Sequence, residues 1–252
     1  MTQQSIFITG AGSGIGAATA RVFAAKGWRV ALADRDGAAV EALASEIGGA
    51  AFTVDVLDRD SIATAMNTFT KEGGLTALFN SAGLLDMHPF AEADPARLDA
   101  LFDVNVKGVM NAIRAALPAL KSAENAHIVT MSSAAAIHGV PDLAAYSASK
   151  FAVRGLTEAL NIEFEPMGIW VSDLMVGYVA TPMLSKADAT AKSVELAGVH
   201  VTPERVAETV YQATQEQRVH WFVRDEDREA QAVFDATPLE ARRDLMRPST
   251  GY

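Results

Sequence analysis

Apolar residues along this chain fall into two alternating textures. Short runs read as strands buried on both faces: Ser5 to Thr9, Trp28 to Ala33, Ala50 to Val54, Leu75 to Phe79, Ala126 to Met131, Ile169 to Met175 and Val219 to Val223. Between them apolar positions recur at helical intervals. The sets are Ile15, Thr19, Val22 and Phe23; Val40, Leu43, Ala44 and Ile47; Leu98, Leu101, Phe102, Asn105 and Val109; Val153, Thr157 and Leu160; and Val206, Val210 and Ala213. Breakers and caps set the limits. Gly48-Gly49 ends the second helix, Pro166 and Gly168 end the fifth, and Asp94-Pro95 and Thr202-Pro203 open others. Leu57 and Ile62 bracket Asp58 as a hydrophobic staple around an N-cap.

Strands alternating with helices of this length predict an α/β fold. The expected form is a Rossmann-like, doubly wound parallel sheet of about seven strands, with helices on both faces, in one domain spanning 1–252. Val176 to Val201 reads as a lid, and residues 225–252 as a charged tail. Ligands of such sheets bind at the carboxyl ends of the strands. The chemistry-bearing residues collect there.

The first strand runs into Gly10-Ala11-Gly12-Ser13-Gly14-Ile15-Gly16 and then a helix. Glycines in that context allow a tight turn and close approach of backbone to a pyrophosphate at the helix N-terminus. Asp34 ends the second strand, 18 residues after Gly16. A carboxylate near that interval accepts hydrogen bonds from an adenosine ribose and repels a 2′-phosphate, which favours NAD. Arg35 beside it could attract that phosphate, so NADP stays open. Asp55-Val56 and Asn80-Ser81-Ala82-Gly83 follow the third and fourth strands, and Ser132-Ser133 ends the fifth. About 1–125 is therefore expected to form the nucleotide-binding half, and about 126–224 the catalytic and substrate half.

Tyr146 and Lys150 are four residues apart, so on a helix they share the face continued by Val153, Thr157 and Leu160. A phenol and an ammonium are thereby set on a stripe that should face the interior. Burying an ammonium is costly without a partner. Asn105 places an amide on another core-facing stripe, where it needs hydrogen bonds.

Composition narrows the function. The chain has 252 residues, 50% hydrophobic and 21% charged, enough for one large core. It contains no cysteine, which removes disulfides, thiolate catalysis and Cys-based metal sites, and its five His lack paired spacing, so no metal is expected. The formal charge of −10 argues against nucleic acid and anionic membrane surfaces. No apolar run approaches the roughly 20 residues of a membrane-spanning helix, and Met1 to Ser5 lacks the basic segment of a secretory leader. The expectation is a cytoplasmic protein acting on a small molecule.

Together these residues resemble the short-chain dehydrogenase/reductase family, in its branch of about 250 residues. The resemblance runs from Ser5 to about Val223. It rests on Thr9-Gly10-x-x-x-Gly14-Ile15-Gly16, Asp55, Asn80-x-Ala82-Gly83, Asn105, and Ser133 placed 13 residues before Tyr146-x-x-x-Lys150. Two positions depart: Ser81 stands where the family motif has a second Asn, and Val176 where it has Pro. The first could weaken a sheet hydrogen bond, and the second could free the backbone beside the nicotinamide.

The resemblance implies a catalytic tetrad of Asn105, Ser133, Tyr146 and Lys150. Cofactor contacts would come from Gly10, Ser13, Gly14, Ile15, Gly16, Asp34, Arg35, Asp55, Val56, Asn80, Ala82 and Gly83, and from Tyr146, Lys150, Val179 and Thr181. Tyr146 would act as acid/base if its pKa fell from about 10 toward 7, roughly 4 kcal/mol of differential stabilisation. A cation at about 4 Å supplies a similar amount at an effective dielectric near 20, and Lys150 would be that cation. Ser133 would hold the substrate oxygen, and Asn105 a water chain to Lys150. The substrate pocket would lie between Leu84–Phe90, Ala134–Leu143 and the Met183-Leu184 lid. Ser133, His138, Tyr146, Tyr178 and Met183 are its expected contacts, with His88 a further polar candidate. Such apolar walls favour a hydrophobic secondary alcohol or ketone. The resemblance also implies a homodimer or homotetramer through the helices bearing Asn105 and Tyr146. Two other readings stay open: a nucleotide-binding redox sensor without turnover, and an NAD-dependent epimerase or dehydratase.

Overall fold

Seven parallel strands make one sheet in the order β3-β2-β1-β4-β5-β6-β7, in a computed structural model that describes residues 3–252. Met1 and Thr2, which open the stretch read above as lacking a leader, lie outside the described residues. The strands are β1 Ser5–Thr9, β2 Arg29–Asp34, β3 Ala50–Thr53, β4 Ala77–Asn80, β5 Ala126–Met131, β6 Ile169–Met175 and β7 His220–Phe222. The sheet reverses direction of winding between β1 and β4, and the carboxyl ends of those strands diverge into a cleft.

Helices cover both faces. On one, α1 (Gly14–Ala25), α2 (Gly37–Ile47) and α9 (Pro203–Ala213) bury Phe23, Val40, Leu43, Val206 and Val210 against Ile6, Ile8, Leu32 and Leu174. On the other, α3 (Arg59–Thr70), α5 (Val109–Leu120) and α6 (Ala144–Phe164) pack Ile62, Met66, Ile113 and Phe164 on Phe7, Leu78, Ile128 and Val171. The caps are those the sequence predicts: Asp58 accepts from the amides of Asp60 and Ser61, Asp94 from Ala96, and Thr202 from Arg205. Of the two expected staple residues, Ile62 is fully buried in the core and Leu57 is largely exposed.

The stretch after Asp94 differs from a continuous helix. A helix α4 (Pro95–Phe102) passes into a π-helical segment, Asp103–Gly108, before α5 begins. The wider turn rotates the register. Phe102 is thereby 38% exposed instead of core-facing, whereas Asn105 and Val109 point inward as expected.

The lid holds two short helices, α7 (Pro182–Ser185) and α8 (Lys192–Ala197). Residues 225–252 are not a loose tail. They form α10 (Asp225–Ala236) and α11 (Arg242–Thr250), and α11 folds back onto α8. Their charges line solvent-facing sides, while Asp227, Gln231 and Thr250 are buried. Charge density hid two amphipathic helices.

Among the described residues no helix is long and apolar enough to cross a membrane, and no group of three acidic or His side chains is placed to hold a metal.

Candidate active site

A cavity of about 480 Å³ opens along the carboxyl ends of the strands. One end is built by the turn between β1 and α1. Gly10 has φ +68°, and a Cβ there would stand 2.6 Å from the Ala82 amide nitrogen. A Cβ at Gly16 would meet the Gly10 carbonyl oxygen at 2.1 Å. No side chain at these two positions fits, so α1 starts hard against the turn. Ser13 caps α1 in an extended conformation without a side-chain bond, and the first turn carries no acidic residue. The helix thus begins with free amides facing a side-chain-free cradle, the arrangement a pyrophosphate fills.

Asp34 closes the far side of that cradle. Its Oδ2 accepts from the Gly12 amide at 2.9 Å and its Oδ1 from the Asp36 amide at 3.0 Å. Arg35, Asp55, Val56, Ala82, Gly83, Ser13, Gly14, Ile15, Val179 and Thr181 line the same cavity. Gly16 sits behind it, as the support for Gly10. Asn80 is also absent from the lining. Its Nδ2 donates to the Thr130 hydroxyl at 3.1 Å inside the sheet and ties β4 to β5, while its Oδ1 is buried without a hydrogen-bond partner. The residues that do line the cavity fit a dinucleotide: a glycine cradle for its phosphates and the Asp34 carboxylate at its edge.

The other end of the cavity brings Ser133, Tyr146 and Lys150 together. Ser133 leaves β5 in extended conformation and caps a 3-10 turn, its Oγ accepting from the Ala135 amide at 3.1 Å. Tyr146 and Lys150 lie one turn apart on α6. The Lys150 ammonium donates to the Met131 carbonyl at 2.8 Å and stands 5.5 Å from the centre of the Tyr146 ring. Burial pulls the Lys150 pKa down to about 8, against an opposing pull from Asp173. Burial pushes the Tyr146 phenol up to about 12, with the Ser133 hydroxyl bonded to it as the opposing influence. The expected fall toward 7 is therefore not produced by these groups alone. Lys150 is anchored on Met131, and burial opposes its charge.

Asn105 does not line the cavity. Its Oδ1 accepts from the Leu84 amide at 2.7 Å, and its Nδ2 donates to the Leu84 carbonyl at 3.0 Å and to Ser149 Oγ at 3.1 Å. Both amide hydrogens are used, and through them the side chain fastens the loop after β4 to α6.

The substrate side is walled by Leu84, Leu85, Val140, Leu143, Met183 and Leu184. Tyr178 lines it with its hydroxyl 2.6 Å from Ser193 Oγ on α8. His138 lines it too, its pKa lowered by burial. His88 does not. It pairs with Asp86 at 3.0 Å in a cluster where Arg97 also binds Asp188 of the lid. Val176, in place of proline, is buried, and its carbonyl accepts from the Ala134 amide at 2.9 Å. Packing fixes the backbone there. Sequence reasoning missed Arg224, Asp227, Ser249 and Thr250, all cavity-lining. Arg224 stands at the end of the substrate half and the other three in the segment read as a tail, where no motif flags them.

Residues 4–192 match the short chain dehydrogenase family. Among characterised sequences, the oxidoreductase UcpA of Salmonella typhimurium is 37% identical over 190 residues, covering 73% of this chain and 72% of its own. A galactitol 2-dehydrogenase (L-tagatose-forming) from Cereibacter sphaeroides is 39% identical over 184 residues, covering 71% of this chain and 72% of its own. A 3-ketoacyl-(acyl-carrier-protein) reductase from Brucella melitensis, solved with NADH, superimposes with a TM-score of 0.78 at 29% identity, over 87% of this chain and 96% of that one.

Proposed function

The chain belongs to the short-chain dehydrogenase family of oxidoreductases, and from that footing we propose that it moves a hydride between NAD(H) and a hydrophobic secondary alcohol or its ketone. The observation that carries this reading is the buried Lys150 beside Tyr146, facing Ser133 across a cavity that also holds the glycine cradle. A nicotinamide dinucleotide, when bound, supplies the hydride acceptor or donor. The Brucella reductase solved with NADH supports that class of cofactor.

Each side chain then has a task. Tyr146 gives a proton to the carbonyl oxygen during reduction, or takes it from the alcohol during oxidation. A phenol raised to about 12 is protonated at neutral pH, ready for the reductive direction. Lys150, held by Met131, lowers the cost of the phenolate in the oxidative one. Ser133 holds the substrate oxygen beside the phenol as charge develops. Leu84, Val140, Leu143 and Leu184 exclude water from the reacting carbon.

Asp34 favours NAD over NADP, because its carboxylate fills the cradle's edge where a 2′-phosphate would stand. Arg35 lines the same edge and is the residue that would reverse the preference. A cytoplasmic homo-oligomer fits this reading, since Phe102, Met110 and Phe151 stay exposed along α4, α5 and α6.

A panel of secondary alcohols and ketones, followed by absorbance of the reduced nicotinamide, tests the proposal. Turnover is expected with at least one apolar member. Tyr146→Phe should abolish it while NADH affinity stays within a few-fold, and a tenth of the activity surviving in that variant would remove Tyr146 as acid/base.

A further inference from the structure

Charged side chains line the cavity in three places. Asp34, Arg35 and Asp55 stand at the ends of β2 and β3, Lys150 stands beside Tyr146, and Arg224 with Asp227 lies beyond β7. The third place has no task in moving a hydride. β7 is the edge strand beside β6, and the Val223 amide extends their pairing by donating to the Met175 carbonyl at 3.2 Å. Arg224 therefore comes alongside Gly177. Ser133 and Ala134 leave β5 on the other side of the same loop, where the Ala134 amide donates to the Val176 carbonyl at 2.9 Å. Arg224 and the Ser133 hydroxyl thus face the cavity from either side of the turn after β6.

The pair leaves its cationic half open. Arg224 Nε donates to Asp227 Oδ2 at 3.1 Å and Nη2 donates to Oδ1 at 2.7 Å, so both carboxylate oxygens are taken. The Asp227 side chain is 7% exposed and that of Arg224 is 32%. A guanidinium carries five N–H groups. Two point to Asp227, and the others have no acceptor among the described residues. Gly177 keeps them uncovered. A Cβ there would stand 3.5 Å from Nη2, in ordinary contact, and glycine leaves that space to the cavity. The apolar walls of the substrate end, Val140, Leu143 and Leu184, give these donors nothing to bond. A donor shut away from water without an acceptor is costly, so a ligand that brings one is favoured over a ligand that does not.

We propose that Arg224 is a specificity-determining residue, whose open N–H groups bind a second, neutral oxygen acceptor of the substrate, the carbonyl of an ester or amide on an apolar body. The assignment deepens the dehydrogenase reading and rests on it. Its reach follows from the sheet. Ser133 and Arg224 follow β5 and β7, two strand spacings or about 10 Å apart, and Nη2 lies back over Gly177, about one spacing nearer. A chain of about four to eight bonds spans that gap. The acceptor is neutral because Asp227 already balances the guanidinium. A substrate carboxylate would leave one net negative charge in an apolar-walled cavity of a chain whose formal charge is already −10.

The test compares kcat/KM for three ketones of matched length: a plain alkyl ketone, the same chain ending in a methyl ester about six bonds from the ketone carbon, and the corresponding carboxylate. Wild type should favour the ester over the plain ketone by about tenfold or more, as a hydrogen bond to a charged donor allows, and over the carboxylate as well. In Arg224→Leu/Asp227→Leu, which removes the pair together and strands no buried carboxylate, the ratio of ester to plain ketone should fall about tenfold. A merely structural pair would lower both substrates alike, and that result, an unchanged ratio, or a wild type that prefers the carboxylate would overturn the proposal. If the double variant does not fold, Arg224→Lys keeps an ion pair with Asp227 but loses the fork that serves two acceptors at once. Its ratio should fall by less, and an unchanged ratio there is equally fatal. Turnover of none of the three by wild type removes the dehydrogenase reading instead. The subsite is then read by NMR of labelled arginine side chains, where the Arg224 signal must shift with the keto ester and not with the plain ketone. An equal response to both would end the assignment.

Discussion

Ser149 Oγ stands between Asn105 and Tyr146: it accepts from the Asn105 amide at 3.1 Å and donates to the Tyr146 carbonyl at 2.7 Å. The tyrosine's turn of helix is thus tied, through one hydroxyl, to the π-helical segment and to the loop after β4. Ser149 is fully buried, so Ser149→Ala leaves an Asn105 donor unsatisfied at a cost of about 1–3 kcal/mol. The expected result is a lower denaturation midpoint together with a several-fold drop in kcat and unchanged NADH affinity. A variant that loses stability but keeps kcat would show that the tie serves folding alone.

Lys150 costs stability at neutral pH, and the sign can be followed through titration. Its pKa is about 8 folded against 10.5 for the free side chain. Below pH 8 both states hold the proton and the burial cost is full. Between 8 and 10.5 the unfolded chain binds more protons, so this group's contribution to stability rises with pH, and above 10.5 the cost is gone. Lys150→Met should therefore gain up to about 3 kcal/mol at pH 7, less about 1 kcal/mol for the lost bond to Met131. Urea unfolding of both proteins at pH 7 and at pH 10.5 checks it. The gain must shrink at the higher pH; a pH-independent difference would mean that Lys150 is not a buried cation.

The strands, their parallel sheet and the motifs at their ends were legible because their signals are local. Buried parallel strands are short apolar runs, and glycine turns, Asp caps and Tyr-x-x-x-Lys are fixed spacings. What escaped was set by tertiary packing. Nothing in Leu98 to Val109 announces a π-turn, so Phe102 was placed on the wrong face. The bonds of Asn80 to Thr130 and of Asn105 to Leu84 and Ser149 are set by strand register and by the loop after β4, which no local spacing announces. Residues 225–252 are rich in charge, and only tertiary contact, of α10 with β7 and of α11 with α8, makes them part of the cavity wall.

Asp34 does two jobs that the sequence presents as one. It edges the cradle, and its Oδ2 holds the Gly12 amide at 2.9 Å. Asp34→Ala should shift preference toward NADP(H) but also loosen the turn, weakening both cofactors. Asp34→Asn keeps an acceptor for Gly12 and removes only the charge. The ratio of kcat/KM for NADPH over NADH should therefore rise in both variants, by tenfold or more, with NADH affinity better preserved in the asparagine variant. A wild type that already prefers NADPH would hand the selection to Arg35.

The carboxyl-terminal segment closes the substrate end through Tyr252. Its hydroxyl donates to Asp142 Oδ1 at 2.6 Å, and its ring lies 3.5 Å beneath the Lys192 ammonium. The Lys192 amide in turn donates to Asp142 Oδ2 at 3.3 Å, and the next residue, Ser193, is the partner of Tyr178 in the cavity. Asp142 adopts φ +64°, a conformation that needs such support. Tyr252→Ala should therefore raise the substrate KM by a few-fold and leave the NADH dissociation constant within twofold, because the cradle is at the other end of the cavity. Tyr252→Phe, which keeps the ring under Lys192, should fall between. A KM unchanged in the alanine variant would show that α8 holds Tyr178 in place without the strap.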